Sequence, residues 1–251
     1  MKFTYLLIDL FSVLIPFFVS FHPRLKFHKH WSALFPAIVL TGIVFIIWDI
    51  YFTHLKIWGF NANYVTGAHI GNLPIEEILF FICIPYSCVF TYACLNVIVK
   101  KTPSQRSQFI ISVALITLSV FIAIRFHNLS YTGSTFAVLA ILLFTAQFIL
   151  KTTWLSRFYI TYFLLLLPFL IVNGLLTGTG LNSPVVWYNP AHIIGLRILT
   201  IPVEDIFYGM DLILLNTLIY TALRKSGYQR LKSRRKAENG SNHLTYTNTI
   251  S

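Results

Sequence analysis

Apolar runs of roughly 20 residues, separated by short polar segments, recur seven times along the chain. They are Phe3–Phe21, Ala33–Thr53, Pro74–Val99, Phe109–Ile124, Ser134–Leu150, Phe158–Leu175 and Ile201–Leu223. A helix rising 1.5 Å per residue crosses a hydrocarbon core of about 30 Å in that length. The pattern therefore predicts seven transmembrane helices. The third and seventh runs carry acidic residues near their starts, so hydropathy alone scores them lower. The first run does not read as a cleaved signal peptide: no small-residue cleavage site follows it, and basic residues do. Composition agrees with lipid as the solvent. Of 251 residues, 56% are hydrophobic and 11% charged, with a mean hydropathy of +0.72. A soluble domain carries about 25% charged residues.

Lys and Arg distribute unevenly between alternate loops. Arg24, Lys26, Lys29, Lys100, Lys101, Arg106, Lys151, Arg157 and seven residues after Leu223 lie on one side, and Lys2, Lys56, Arg125 and Arg197 on the other. The positive-inside rule then puts the C-terminus in the cytoplasm and the N-terminus outside, across a plasma membrane. The net charge of +11 sits mainly in cytoplasmic segments. Arg230–Lys236 accordingly reads as part of a disordered basic arm beside anionic lipid, with no nucleic-acid partner expected. Cys83, Cys88 and Cys94 share the third run and read as buried apolar thiols.

An internal repeat organises the chain. Gly67-Ala68-His69-Ile70-Gly71-Asn72-Leu73-Pro74-Ile75-Glu76-Glu77-Ile78 recurs 128 positions later as Gly195-Leu196-Arg197-Ile198-Leu199-Thr200-Ile201-Pro202-Val203-Glu204-Asp205-Ile206. Upstream, Phe45-Ile46-Ile47-Trp48-Asp49 corresponds to Phe169-Leu170-Ile171-Val172-Asn173. Spans one to three thus match spans five to seven. Because matching helices are four spans apart, they cross the membrane in the same direction. The expected fold is all-α and membrane-integral, with seven transmembrane helices as two parallel three-helix repeats plus a connector helix. The implied divisions are a first repeat at 1–100, a connector helix and loop at 101–133, a second repeat at 134–224 and the basic tail at 225–251.

The polar residues inside the spans mark candidate chemistry. Of eight Asp and Glu residues, seven lie in or at the edge of spans: Asp9, Asp49, Glu76, Glu77, Glu204, Asp205 and Asp211. With the orientation above, all fall in the outer half of the membrane, where carboxyls are costly and usually functional. In P-x-E-[ED], proline suits the first helical position and the acids fall in the first turn, where the helix dipole favours charge. Lipid burial and the neighbouring like charge favour the protonated form. A pair under such opposed pressures can hold one proton between two groups, as acid–base catalysis requires. A purely structural role, as helix caps paired with His69 and Arg197, is the alternative. Asp49 and Asn173 are candidates to support the pairs, or simply to bond between helices. Glu204, Tyr208 and Asp211 share a helix face at i, i+4 and i+7, and are expected to line a cavity together.

Aromatic residues make up 16% of the chain. Phe80, Phe81, Phe207 and Tyr208 sit one turn inside the acidic pairs, where a ring face stabilises a transient cation by ~0.5–2 kcal/mol when dry. Trp58-Gly59-Phe60 and Trp187-Tyr188-Asn189, after the second and sixth spans, are candidates for an outer lid or for interfacial anchors. No G-x-G-x-x-G, H-E-x-x-H or C-x-x-C pattern occurs, so nothing in the sequence points to a dinucleotide or metal site. The seventh span has no lysine to carry a retinal Schiff base.

At these residues the chain resembles the membrane-embedded lycopene cyclase domain family, in its fused two-repeat form. The resemblance covers nearly all of residues 2–223. It is strongest at Leu73-Pro74-Ile75-Glu76-Glu77-Ile78-Leu79-Phe80-Phe81 and Ile201-Pro202-Val203-Glu204-Asp205, with Asn173-Gly174-Leu175-Leu176-Thr177-Gly178 and Gly195-Leu196-Arg197-Ile198 adding to it. The resemblance implies a cofactor-free, redox-neutral isomerisation of lycopene to γ-carotene and then β-carotene. Glu76, Glu77, Glu204 and Asp205 would supply acid and base, with Asp49, Asn173, His69, Arg197, Phe80, Phe81, Tyr208 and Asp211 supporting them or lining the cavity. Its implied partners are a lipophilic carotenoid arriving from the bilayer, membrane lipids and other enzymes of the carotenoid pathway. A proton-coupled transporter of a hydrophobic solute, or a polyene-binding protein without catalysis, is the competing reading.

Overall fold

The computed structural model describes residues 2–99 and 104–247, with those from 227 onward as backbone only. Seven helices follow the apolar runs: α1 (Thr4–Val19), α2 (Trp31–His54), α3 (Ile75–Ile98), α4 (Gln105–Arg125), α5 (Ser130–Phe144), α6 (Leu155–Leu176) and α7 (Val203–Thr247). Six are long and apolar enough to cross a membrane, and α1, at 16 residues, is shorter. The chain is thus an all-helical, membrane-embedded protein. Its exterior carries bulky apolar side chains such as Phe11, Phe121, Phe163 and Leu167, while Asp9, Asp49, Glu76, Glu204, Asp205 and Asp211 are buried inside. Water would reverse that distribution; lipid permits it.

The helical backbone of α7 runs on to Thr247, through the segment expected to be a disordered arm. Once a span has paid for nucleation, each further residue adds a hydrogen bond at little cost. Lys100 and Lys101, residues 248–251 and the side chains of Arg230–Lys236 lie outside the described residues.

Within each half, the first helix packs on the third: α1 on α3 and α5 on α7. The second helix of each half also reaches across, α2 to α7 and α6 to α3. The halves therefore interlock. Helix α4 packs along α5, and at the end of the bundle away from the acids Gln108 ties it to its neighbours. Its amide nitrogen donates to Gln147 Oε1 (3.0 Å) and Thr152 O (2.8 Å), and its carbonyl accepts from Ser156 N–H (3.1 Å).

Six short strands cover the acidic end. β1 (Trp58–Phe60) pairs antiparallel with β4 (Val186–Tyr188), Gly59 opposite Trp187, and so joins the two inter-helix loops. β2 (His69–Ile70) and β3 (Leu73–Pro74) form a hairpin before α3; β5 (Arg197–Ile198) and β6 (Ile201–Pro202) form its counterpart before α7. The backbone repeats in detail. Ile75 N–H donates to Ala68 O and Val203 N–H to Leu196 O, at 2.9 and 3.0 Å. Positive φ occurs at Gly67 and Gly195, and again at Gly71 and Leu199. A leucine thus occupies the left-handed turn position that its counterpart fills with glycine, at a cost of about 1–2 kcal/mol.

Leu199→Gly is expected to stabilise the protein by about 1 kcal/mol in detergent melts, and Gly71→Leu to destabilise it by a similar amount. The reverse order would contradict this reading of the hairpins.

Candidate active site

Adjacent residues on a helix point about 100° apart, and this divides each acidic pair. Glu76 and Glu204 turn back to the loops that precede their helices. Glu76 Oε1 accepts from Thr66 N–H (2.7 Å). At the equivalent position Glu204 Oε1 accepts from Ile194 N–H (2.7 Å) and the Thr132 hydroxyl (2.6 Å). Both carboxyls are buried and neither reaches the chamber between the helices. The two carboxyls of each sequence pair thus bond different partners, instead of forming the expected pair with each other.

Glu77 and Asp205 face the other way, into a single chamber of about 670 Å³ between α1, α3, α6 and α7 under the β1–β4 ribbon. From Glu77 to Thr91, both on its wall, it follows α3 for roughly 21 Å. Its surroundings are mostly apolar, with Phe80, Tyr208, Trp58, Tyr131 and Tyr188 near the acids. Trp58 and Tyr131 meet edge-to-face at 5.0 Å, Tyr131 and Tyr188 stack at 5.8 Å, and Tyr208 lies 5.9 Å from Tyr131 and 6.0 Å from Trp58.

The two acids have equivalent positions and different company. The Tyr5 hydroxyl donates to Glu77 Oε2 at 2.5 Å, and the Tyr131 hydroxyl to Asp205 Oδ1 at 2.7 Å. These tyrosines open the first helix of each half. Beside Glu77 stands Asp49, within hydrogen-bond reach. Asp49 Oδ1 accepts from the Trp58 indole N–H and from Thr53 Oγ1 (3.4 Å), while Oδ2 meets no conventional donor. Two carboxyls bond to each other only when a proton lies between them, so this juxtaposition suits a shared proton. Beside Asp205, the position of Asp49 is taken by Asn173, whose amide donates to Oδ2 at 2.9 Å. The Tyr188 hydroxyl donates to the same oxygen at 2.9 Å. Burial, reinforced by the charge of Asp205, pushes that phenol well above its usual value, so Tyr188 remains a donor. Asp205 therefore receives three donors, each of which shifts its balance toward the ionised form.

Other expectations are redistributed. Asp49, Asn173, Phe80 and Tyr208 line the chamber. Phe81 lies outside it, buried against Phe45. Asp211 is buried with neither oxygen paired among the described residues, and it does not share the chamber with Tyr208. The α7 face that does so runs Asp205, Tyr208, Gly209, Leu212 and Ile213, one position round from the face expected. Asp9 is likewise buried and without a partner among the described residues. His69 and Arg197 take no part: both are exposed on the hairpins and bond backbone carbonyls, Gly67 O (2.9 Å) and Thr200 O (2.5 Å). Their places on the hairpins leave them exposed, whereas the carboxyls are buried. Cys83 and Cys88 are buried free thiols, Cys94 is part-buried, and Cys88 lies on the chamber wall. Sequence reasoning missed Tyr5, Tyr131 and Thr132. Aligning Tyr5-x-x-x-Asp9 with Tyr131-x-x-x-Thr135 would have found the tyrosines.

A helical membrane protein with an apolar, aromatic chamber and paired acid groups at one end is thus defined. Comparison with known proteins places it further. The family model for lycopene cyclase matches residues 2–95 and again 128–223, so the chain belongs to the lycopene cyclase family and carries its domain twice. Among curated proteins, the bifunctional lycopene cyclase/phytoene synthase of Arthroderma gypseum is 34% identical over 76 residues, 30% of this chain. The match spans 12% of that relative's length. No solved structure matches.

Glu204→Ala is expected to cost about 1–3 kcal/mol in detergent melts, because it strands a backbone N–H and a buried hydroxyl. Glu204→Gln keeps an acceptor oxygen and should cost less; equal losses would contradict the assigned bonds.

Proposed function

We propose that the protein is a lycopene β-cyclase, an intramolecular lyase-type isomerase that closes the acyclic ends of lycopene into β-ionone rings, giving γ-carotene and then β-carotene. The observation that carries this is the contrast between Glu77 and Asp205: one acid stands beside a second carboxyl, the other is surrounded by donors, and both face one apolar chamber. Membership of the family supports the same reading.

Glu77 delivers its proton to the terminal alkene of the chain end. The neighbouring double bond attacks the resulting cation and closes a six-membered ring, moving the positive charge onto the ring. Asp205 removes a proton from the adjacent carbon, forming the ring double bond. Substrate and product have the same mass, and the proton gained by Asp205 passes back to the Glu77–Asp49 pair to reset the site. Rings of Tyr208, Trp58, Tyr131 and Phe80 surround the cation, each worth ~0.5–2 kcal/mol in a dry site. Exclusion of water by the β1–β4 ribbon protects the cation from hydration. Glu76 and Glu204 act as positioning residues, tying the outer loops to the helices that carry the reacting acids.

The antiparallel register centred on Gly59 and Trp187 supports two parallel three-helix halves about an axis along the membrane normal, with α4 connecting them. The Lys and Arg distribution supports an outer location for the acidic end, in a plasma membrane with the C-terminus in the cytoplasm. The substrate is taken from the bilayer, and upstream carotenoid enzymes are candidate neighbours. A transporter would want its acids near the midplane and on both sides of it; their gathering at one end favours the isomerase.

In cells that accumulate lycopene, Glu77→Gln and Asp205→Asn are each expected to lower cyclised pigment about 10²-fold or more, the usual scale of general acid–base catalysis. Glu76→Gln and Glu204→Gln should retain most of it. Chromatography of the extracted pigments checks this, and undiminished cyclisation by the first two variants would remove these groups from the chemistry.

A further inference from the structure

Two homologous halves suggest two chambers, one on each side of the axis between them. The described residues show a large one on one side only. On the open side, the chamber wall includes Phe169 and Val172 of α6 and Gly209 of α7. A Cβ added at Gly209 would already come within 3.4 Å of Phe169 and of the Tyr162 hydroxyl. The equivalent positions on the other side are Phe45, Trp48 and Phe81. There Phe45 meets Phe81 at 6.1 Å and Trp48 at 5.7 Å, while Tyr208 lies 5.2 Å from Phe45 and 5.3 Å from Trp48. Phe52 continues this stack, 5.8 Å from Trp48 and 6.5 Å from Tyr131. Tryptophan for valine and phenylalanine for glycine fill the space that the open side leaves.

The open chamber also has a lateral mouth. Phe11 and Ile15 of α1 and Ile171 of α6 belong to its wall, yet they are 68%, 71% and 61% exposed. Side chains that both line a chamber and face the exterior mark its edge, and here the exterior is lipid. The acids lie at the closed end, beneath the ribbon.

We infer that the two halves build one catalytic chamber, entered from the lipid between α1 and α6 by one chain end at a time, so that a second ring forms only after the monocyclic product has left and returned by its other end. Trp48 and Phe81 are the residues that close the twin chamber. This inference rests on the cyclase reading above. A linear polyene has its two ends far apart, and only one set of Glu77, Asp49 and Asp205 is available to meet them. Chemistry at the two ends is therefore distributive, with free γ-carotene as a true intermediate.

The purified full-length chain in liposomes, given labelled lycopene, tests this by a chase with excess unlabelled lycopene during the first turnovers. Labelled monocyclic product should appear first as a free pool, bicyclic product should follow after a lag, and the chase should suppress labelled bicyclic product several-fold. Labelled bicyclic product without a lag, at a ratio the chase leaves unchanged, would overturn the inference while leaving the cyclase reading intact. Absence of any cyclic product would overturn the cyclase reading itself, and this inference with it. The mouth has its own control. Ile15→Trp should lower kcat/KM about tenfold. Ile141→Trp, at the equivalent exposed position of α5, should leave it unchanged; equal effects would place the entrance elsewhere.

Discussion

A carboxyl buried away from water has to share a proton or gather donors, and the site depends on meeting that constraint in two different ways. The halves provide matching frames: a tyrosine from the first helix, a side chain from the second, an acid at the start of the third and a lid residue from the loop. At one position they differ by a single atom exchange. Asp49 can bond Glu77 only through a proton, whereas Asn173 brings its own N–H to Asp205. In the proposed mechanism one frame stores a proton and the other stabilises a negative charge, so that the repeat supplies the geometry and the departure from the repeat the acid–base polarity.

The same frame explains why the acids lie at one end. Helix N-termini at α3 and α7 favour negative charge, and the first carboxyl of each pair is used to hold the loop that covers the second. Loop backbone at the edge of a membrane needs its polar groups satisfied. The bonds from Thr66 and Ile194 to Glu76 and Glu204 do this in both halves, and they fix the N-termini that present Glu77 and Asp205. The β1–β4 ribbon then joins the two loops over the chamber, so closure and acid placement come from one set of contacts.

Much of this was legible from the pattern of residues. The spans agree with the helices to within a few residues, apart from the C-terminal end of α7, which runs on well past Leu223, since the apolar runs have no other way to satisfy their backbone in lipid. The repeat, the acidic motifs and the aromatic loops all mark the end where the chamber is found. What the sequence concealed is rotation about each helix axis. The apolar exterior and apolar core look alike in a membrane helix, so nothing in the pattern of α7 says that Asp205 faces the chamber while Glu204 and Asp211 face away. The pairing of Glu77 with Asp49, a residue 28 positions earlier, is likewise a matter of tertiary packing. His69 and Arg197 looked like partners because they were the nearest cationic residues in sequence, but a two-residue turn carries them out toward the surface. The plugging of the second chamber by Trp48 and Phe81 becomes meaningful only when their counterparts Val172 and Gly209 are seen beside empty space.

The most direct test of the account is infrared difference spectroscopy of the protonated-carboxyl region, comparing the parent protein with Glu77→Gln, Asp49→Asn and Asp205→Asn in the same detergent. The account predicts that a protonated-carboxyl band is lost in Glu77→Gln and shifted in Asp49→Asn, while Asp205→Asn removes only carboxylate absorption. Loss of the protonated band in Asp205→Asn, with Glu77→Gln leaving it in place, would contradict it.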